Sequence, residues 1–363
     1  MRVIFTLGHP AHFHLFKNVI GNLLKRGHQV KIAIIQKDIL EDLLIQHGYD
    51  YEILEYKKNK KGVLSRIKKL FNSSIVLYRI TKSFAPDLMI GCLSQMSWVG
   101  FLKHVPTIFC AEDDITYTRV QCNITYPFAT VICTPFGVNV GRFSYKRIPY
   151  SGYQKISYLH PNVFVPDKSR IDERDLKQPF FIIRLVNLTA HHDVNIQGLS
   201  GSTLTRLISF LKTKGTVYIS SENELHGDFA DMRLPYKLSD IHHVMYFSSL
   251  FIGDSQSMAV EAAILGVPNI RYNDFAGKSS VLYELEHKYG LTYAFNTQQS
   301  EEMFEKVKEL LDVPNLKEEF QKRRAVLLSD KIDVSSFLTW LIENYPDSVD
   351  VMKNNSRYQY NFK

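Results

Sequence analysis

Cysteine, glycine and proline are scarce in this sequence, and long apolar runs are missing. Its 363 residues include 4 Cys, 18 Gly and 13 Pro, which excludes collagen-like and low-complexity chains. With 45% hydrophobic and 22% charged residues, a disordered chain is excluded as well. No stretch approaches the roughly 18 apolar residues of a spanning helix, and the apolar start of the chain is too short for a signal peptide. Any membrane contact is therefore expected to be peripheral.

The cysteines also bear on the compartment. They form neither a CxxC pair nor a disulfide framework, and they are Cys92, Cys110, Cys122 and Cys133. This pattern predicts reduced, mostly buried thiols in a cytoplasmic protein.

The charge of the chain is mildly positive. Lys and Arg number 44 against 37 Asp and Glu, a net charge of +7, which suits phosphates, nucleic acid or an anionic membrane. The basic residues cluster on one predicted helix, and no RNA- or DNA-binding motif is visible. We therefore expect no nucleic-acid partner. The oligomeric state stays open.

Strand and helix patterns alternate along the chain. An apolar run at residues 3–7, helical spacing from Phe13 to Leu24 and an apolar run at 30–35 form a βαβ unit, which predicts a parallel sheet. The alternation continues to residue 132 and restarts at 180. We predict an α/β fold with two Rossmann-like domains whose parallel sheets face each other across a cleft. The predicted segments are a first domain at 1–150, a linker at 151–178, a second domain at 179–330, and a crossing helix and tail at 331–363.

The segment from Ile252 to Pro268 ends a strand, makes a small polar turn and opens a helix. The N–H groups of the first helical turn would offer a diphosphate site. The residues at this start are Ser255, Gln256, Ser257 and Met258. Glu261, further along the helix, can accept both hydroxyls of a ribose. The alternative is that Asp254 or Ser255 is only a helix cap and Glu261 a solvated surface residue.

Histidines follow the first strand, in the loop Gly8–His14. A doubly wound sheet binds ligands at this edge, and imidazole titrates near neutrality, so His9 or His12 is predicted to be a general base that takes the proton of a substrate hydroxyl. The alternative is that one histidine caps the helix and another packs against it. The acids at 112–114 follow another strand at the same edge, and Asp113 is a second candidate, either as base or to orient His9. Acidic turns of this kind are also commonly only solvated or capping.

Two motifs resemble known families. The stretch from Gly253-Asp254-Ser255 through Glu261-Ala262-Ala263 to Gly266-Val267-Pro268 looks like the donor motif of GT-B glycosyltransferases, and is similar to MurG-type enzymes and UDP-GlcNAc 2-epimerases. The opening from Gly8-His9-Pro10-Ala11-His12 through Phe16-Lys17-Asn18 and the segment 282–291 look more closely like a bacterial and archaeal GT-B-like family known as a domain of unknown function. The resemblance implies that the small residues hold a nucleotide diphosphate and that Glu261 holds the ribose.

A third loop, at residues 184–195, is similar in placement to the His-Arg-x-Glu-Asn loop of the epimerases, which lies against the nucleotide sugar. By that resemblance Arg184 contacts phosphate, and His191 or Asn195 contacts the sugar. Arg271 and Lys278 are further cations that can offset the charge of a diphosphate. The alternative for Arg184 is an ion pair at the strand edge.

The resemblance favours a metal-independent glycosyltransferase that moves a sugar from a nucleotide-diphosphate donor, with a UDP-sugar favoured, to a glycan or lipid-linked acceptor in cell-surface polysaccharide synthesis. The nucleotide sugar is substrate, and no cofactor or metal is expected. Two alternatives are an enzyme like UDP-GlcNAc 2-epimerase and a noncatalytic nucleotide-sugar-binding protein. The epimerases typically carry an acid after the fourth strand, whereas residues 91–96 here contain no carboxylate.

A basic segment and helix at residues 57–82 predict contact with an anionic membrane surface. One helical stripe is apolar and comprises Leu64, Ile67, Phe71, Ile75 and Tyr78, and the flanking basic residues are Arg66, Lys68, Lys69, Arg79 and Lys82. A cationic amphipathic helix can lie in an anionic leaflet, here the inner face of the plasma membrane. The alternative is that the stripe packs on the sheet.

Overall fold

The computed structural model describes residues 1–37, 39–56, 63–186, 198–274 and 279–363. The chain divides into two compact units. Unit 1 comprises Met1–Val163 and Lys331–Lys363, and unit 2 comprises Phe164–Asp330. Each unit is an α/β structure around its own parallel sheet, which confirms the predicted fold class. All four cysteines are free and buried, as their spacing predicts.

Twelve strands form the two sheets. They are β1 (Arg2–Leu7), β2 (Gln29–Ile35), β3 (Tyr51–Glu55), β4 (Leu88–Gly91), β5 (Thr107–Cys110), β6 (Val131–Pro135), β7 (Arg147–Tyr150), β8 (Phe180–Leu185), β9 (Thr216–Ser221), β10 (Leu250–Gly253), β11 (Asn269–Tyr272) and β12 (Tyr293–Phe295). Unit 1 has the order β3-β2-β1-β4-β5-β6-β7 and unit 2 the order β12-β11-β10-β8-β9. The order therefore reverses between β1 and β4 in unit 1 and between β8 and β10 in unit 2, and such switch points are where α/β sheets bind ligands.

The α-helices connect and cover these strands. They are α1 (Pro10–Lys25), α2 (Leu40–Gln46), α3 (Val63–Phe84), α4 (Ser94–Lys103), α5 (Arg119–Thr125), α6 (Ile156–Leu159), α7 (Glu173–Lys177), α8 (Gly201–Lys212), α9 (Ile241–Phe247), α10 (Gln256–Leu265), α11 (Ser280–His287), α12 (Ser300–Asp312), α13 (Leu316–Asp330), α14 (Val334–Glu343) and α15 (Asp347–Asn354). Helix α14 belongs to unit 1, where it packs on α1: the amide of Asn22 donates to Thr339 at 3.4 Å.

Helix α1 shows why these elements form where they do. His9 caps its start, Pro10 occupies the first turn, where its missing N–H costs nothing, and Gly27 follows its end with a positive φ of 82°. The face at helical spacing is fully buried and comprises Phe13, Leu15, Phe16, Val19, Ile20 and Leu23. It packs near β1, where Phe5 meets Phe16 edge to face at 5.4 Å.

A glycine at each switch point lets two strands approach closely. A Cβ on Gly91 of β4 would lie 2.3 Å from the carbonyl oxygen of Thr6 in β1, and a Cβ on Gly253 of β10 would lie 2.6 Å from that of Arg184 in β8. Any side chain would push the strands apart at the edge where the candidate residues lie.

Candidate functional site

The histidine loop follows β1 at the switch point of unit 1. The Nδ1 atom of His9 accepts the N–H of Ala11 at 3.1 Å, and Nδ1 of His12 accepts the N–H of Gly8 at 3.1 Å. The two rings lie 6.1 Å apart. Because each Nδ1 accepts a hydrogen bond, each neutral ring carries its proton on Nε2.

His12 is less suited than His9 to act as the predicted base. Burial is the main cause that lowers the pKa of His12 to about 3, and the neighbouring charge of His9 adds to it. Lys37 and Lys155 lower this pKa further. A group with so low a pKa is a poor proton acceptor at neutral pH, so the geometry gives His12 the role of a neutral hydrogen-bond donor. His14 turns to Tyr158, with ring centroids 5.1 Å apart.

The three acids of the turn after β5 have different surroundings. Glu112 forms an ion pair with Lys155 and accepts the N–H of Gln154 at 2.6 Å, whereas Asp114 accepts the N–H of Asn139 at 2.6 Å. Asp113 is exposed. Two of the three acids thus hold neighbouring loops in place, and a role for Asp113 in orienting His9 stays a prediction.

The switch point of unit 2 joins β8 to the loop after β10. The Oδ1 atom of Asp254 accepts the N–H of Val186 at 2.8 Å, and the backbone oxygen of Asp254 accepts the side-chain amide of Asn273 at 2.7 Å. This buried aspartate therefore connects the ends of three neighbouring strands. The sequence places Asp254 in the donor-like motif or as a helix cap, but this connection depends on the strand order and has no local signal.

Helix α10 begins at this edge. Ser255 is its cap, and Oγ of Ser255 accepts the N–H of Met258 at 3.3 Å, so that amide is already engaged. Within the described part of the chain, no acceptor takes the backbone N–H groups of Gln256 and Ser257. Two donors at the positive end of the helix dipole are thus left for an anion.

Glu261 is buried rather than solvated. Its Oε1 atom lies 3.3 Å from Nε2 of His242 on α9. His242 is itself buried, so the two side chains fix each other's position on the face where α9 meets α10. The solvated alternative for Glu261 is therefore wrong, and its partner His242 had no motif in the sequence to reveal it.

The predicted cations have different surroundings. Arg184 pairs with Glu222 at 2.7 Å and donates to Ser220 at 3.0 Å, which is the ion pair of the alternative interpretation. Its Nε–H is nevertheless buried with no acceptor among the described residues. Arg271 is only 2% exposed and pairs with Glu286 at 2.7 Å, so we leave it out of the donor site. His191, Asn195 and Lys278 lie outside the described residues.

Burial raises the pKa of Asp254 to about 6 from its ordinary 3.8, against the hydrogen bond from Val186. The folded protein then binds more protons than the unfolded chain between about pH 4 and 6, so this group lowers stability as the pH rises through that window. Replacing Asp254 by Asn should therefore increase the free energy of unfolding at pH 8 by up to about 3 kcal/mol. The gain should shrink toward zero at pH 4. Urea unfolding of both proteins at pH 8, 6 and 4 measures it, and an equal difference at all three values would contradict the assigned cause.

The amphipathic helix α3 exposes its predicted stripe. Four members are solvent-accessible: Ile67, Phe71, Ile75 and Tyr78, with Phe71 at 66%. The side chains of Leu64 and Arg66 are not among those described. The helix instead buries Ser73 and Leu77, with Ser73 accepting the amide of Gln95 on α4 at 2.9 Å. The alternative that the stripe packs on the sheet is thus wrong.

No protein-family model matches the chain, and no curated protein matches it. Solved structures do. S. aureus MnaA, in a co-structure with UDP, shares 15% identity with a TM-score of 0.69 over 96% of this chain and 98% of that one. UDP-GlcNAc 2-epimerase from Neisseria meningitidis, bound to UDP-GlcNAc, shares 16% identity with a TM-score of 0.66 over 95% of this chain and 100% of that one. MurG from Acinetobacter baumannii shares 15% identity with a TM-score of 0.59 over 94% of this chain and 99% of that one.

The chain has the GT-B fold. At these identities the likeness establishes the GT-B architecture, which both epimerases and glycosyltransferases use. No described helix combines the length and apolar character needed to cross a bilayer. Among the described side chains, no three His, Cys, Asp or Glu residues are grouped to hold a metal ion.

Proposed function

We propose that the chain is a GT-B glycosyltransferase that moves a sugar from a UDP-sugar to a glycan or lipid-linked acceptor in cell-surface polysaccharide synthesis. The nucleotide sugar is its substrate, and it works without a metal ion or another cofactor. The observation that carries the proposal is the carboxyl edge of unit 2, where two open N–H groups, a buried arginine N–H and a fixed glutamate belong to one switch point.

In the proposed complex, the diphosphate accepts the N–H groups of Gln256 and Ser257, and Arg184 adds a charged donor. Glu261, held by His242, accepts the ribose hydroxyls. The similar S. aureus structure contains UDP and the similar N. meningitidis structure UDP-GlcNAc, which supports this class of ligand. The same donors would stabilise the charge on the diphosphate as it leaves.

We assign His9 as the base that takes the proton of the acceptor hydroxyl. Action through Nε2 needs the tautomer with the proton on Nδ1, and that tautomer gives up the bond from Ala11 that caps α1. Losing such a cap costs about 1 kcal/mol. This cost lowers the rate by less than tenfold, whereas general base catalysis raises it by about 10²- to 10⁴-fold. His12 stays neutral and serves as a hydrogen-bond donor.

The second candidate function is epimerisation of UDP-GlcNAc. It is favoured by the TM-scores, which are 0.69 and 0.66 for MnaA and the N. meningitidis epimerase and 0.59 for MurG. Epimerisation removes and returns a carbon-bound proton. The loop after β4, at Cys92 and Leu93, has no carboxylate for this step, so we rank transfer first.

Incubation of the purified chain with UDP-GlcNAc separates the candidates. A transferase releases UDP in proportion to an added glycan or lipid-linked acceptor, and the sugar appears on that acceptor. An epimerase needs no acceptor and forms the 2-epimer or releases UDP. A binding protein leaves the nucleotide sugar unchanged, and that outcome would contradict both enzymatic assignments.

We further propose that α3 rests on the inner face of the plasma membrane. Its exposed stripe continues onto α4, where Lys103 lies 4.9 Å above the ring of Tyr78, and Phe101 and Leu102 are also exposed. Lys68, Arg79 and Lys82 are exposed on the same helix. Apolar side chains beside basic ones match an anionic leaflet.

Replacing Phe71 by Ser should weaken binding to phosphatidylglycerol vesicles at least about tenfold, because burying a phenylalanine is worth about 1.5–3 kcal/mol. Phe136→Ser is the matched control, since Phe136 is 64% exposed in unit 1 and lies outside α3 and α4. Co-sedimentation at low and high salt measures both. Equal binding by the two variants, or equal binding to phosphatidylcholine, would argue against this surface.

A further inference from the structure

A cavity of about 590 Å³ opens at the amino edge of the sheet in unit 2. Pro179 and Ser249, which directly precede β8 and β10, line it. The proposed donor site follows the carboxyl ends of the same two strands. At about 3.3 Å per residue, the length of the strands separates the cavity from that site, so the two are distinct.

The cavity contains cations without a counterion. Lys168 and Lys317 both line it, and among the described residues no carboxylate lies within ion-pair distance of either ammonium group. Asp175, the acid of the lining, accepts hydrogen bonds from the hydroxyls of Tyr218 and Tyr236. Burial, and then the charge of Lys168, lower the pKa of Lys317 to about 8. An anion would relieve this unpaired charge.

The walls of the cavity are aromatic and apolar. The Lys317 ammonium lies 5.1 Å from the ring centroid of Tyr246 and 5.3 Å from that of Phe247. Leu176 and Pro179 add apolar surface. A volume of this size falls within the range of small-ligand sites, about 300–1,000 Å³. A ligand that fits both features has a charged group for the lysines and a flat or apolar body for the rings.

We propose that this cavity is a second ligand site, which binds a phosphate monoester carried on an aromatic or apolar group. A phosphate monoester has a charge of about −1.5 to −2 at neutral pH, which two lysines can match. Lys168 and Lys317 would bind the phosphate, and Tyr246 and Phe247 would contact the body. The site does not depend on the proposed transferase reaction.

Calorimetric titration with phenyl phosphate tests the site. Phenol, which lacks the phosphate, and inorganic phosphate, which lacks the aromatic ring, are the comparison ligands. We expect phenyl phosphate to bind more tightly than either. Lys317→Met, which keeps the length and apolar stem of the side chain, should weaken its binding about tenfold or more. Lys168→Gln, at an exposed position, should also weaken phenyl phosphate binding. This variant tests the site if the Lys317 variant fails to fold. Lys212→Met, at the exposed end of α8, is the matched control and should bind as the wild type does.

The Glu261→Gln variant separates this cavity from the donor site. We expect it to bind phenyl phosphate unchanged, and Lys317→Met to bind UDP unchanged. Absence of phenyl phosphate binding by the wild type, equal affinity in the wild type and both lysine variants, or loss of binding in Glu261→Gln would each overturn the second site. None of these results would bear on whether the chain transfers a sugar.

Discussion

The Glu261→Gln variant should bind UDP about ten- to a hundredfold more weakly than the wild type. The substitution keeps the shape of the side chain but removes the charge that we propose accepts the ribose hydroxyls, and a hydrogen bond to a charged group contributes about 1.5–3 kcal/mol. Because Glu261 is buried beside His242, little other movement can restore the contact. Calorimetric titration with UDP measures the change.

A second variant separates the ribose from the diphosphate. Gln256 is the first residue of α10, and its cap Ser255 has an extended backbone, with φ −82° and ψ 112°. A proline is tolerated at this position, so Gln256→Pro should preserve the helix while removing one N–H donor. We expect this variant to weaken UDP binding but not uridine binding, whereas Glu261→Gln weakens both.

Glu305→Gln is the control for the loss of one negative charge. Glu305 lies on the exposed side of α12, with its side chain 67% accessible, and this variant should bind UDP normally. Unchanged UDP affinity in Glu261→Gln would remove Glu261 from the donor site. Circular dichroism confirms that each variant is folded.

Replacing His9 by Ala should lower turnover by about 10²- to 10⁴-fold, the usual contribution of a general base. The KM for the UDP-sugar should stay within a small factor of the wild type, because the proposed donor contacts belong to unit 2. Release of UDP in the presence of the acceptor measures both quantities. His9→Asn keeps a side chain that can cap α1, so it separates loss of the base from loss of the cap.

His12 and Asp113 provide the comparison for this result. If His12 is the neutral donor that we propose, His12→Gln should retain much more activity than His9→Ala. Asp113→Asn tests whether the exposed acid orients His9. Full activity in both His9 variants would discard the assigned base, and a larger loss in His12→Gln than in His9→Ala would reverse the assignment of the two histidines.

Much of the fold can be predicted from local patterns. The apolar run of β1, the spacing from Phe13 to Leu24 and the glycine after α1 define a βαβ unit without reference to the rest of the chain. The start of α10 is equally visible, because a small polar turn between an apolar strand and a helix has few alternatives. These signals all lie within one or two neighbouring elements.

The environment of each side chain could not be predicted in the same way. Helical spacing identifies the stripe of Phe71 and Ile75 but not the face that α3 buries, which depends on Gln95 of α4 meeting Ser73. The His242–Glu261 pair depends on two helices meeting. The low pKa of His12 comes mainly from burial, which depends on elements that the sheet order brings together.

Crystals of the chain soaked with UDP test the central claim most directly. We expect the nucleotide at the carboxyl edge of unit 2, with its ribose on Glu261 and its diphosphate on the N–H groups of Gln256 and Ser257. UDP bound elsewhere, or this edge left empty at a saturating concentration of UDP, would contradict the assignment of the chain as an enzyme that uses a UDP-sugar.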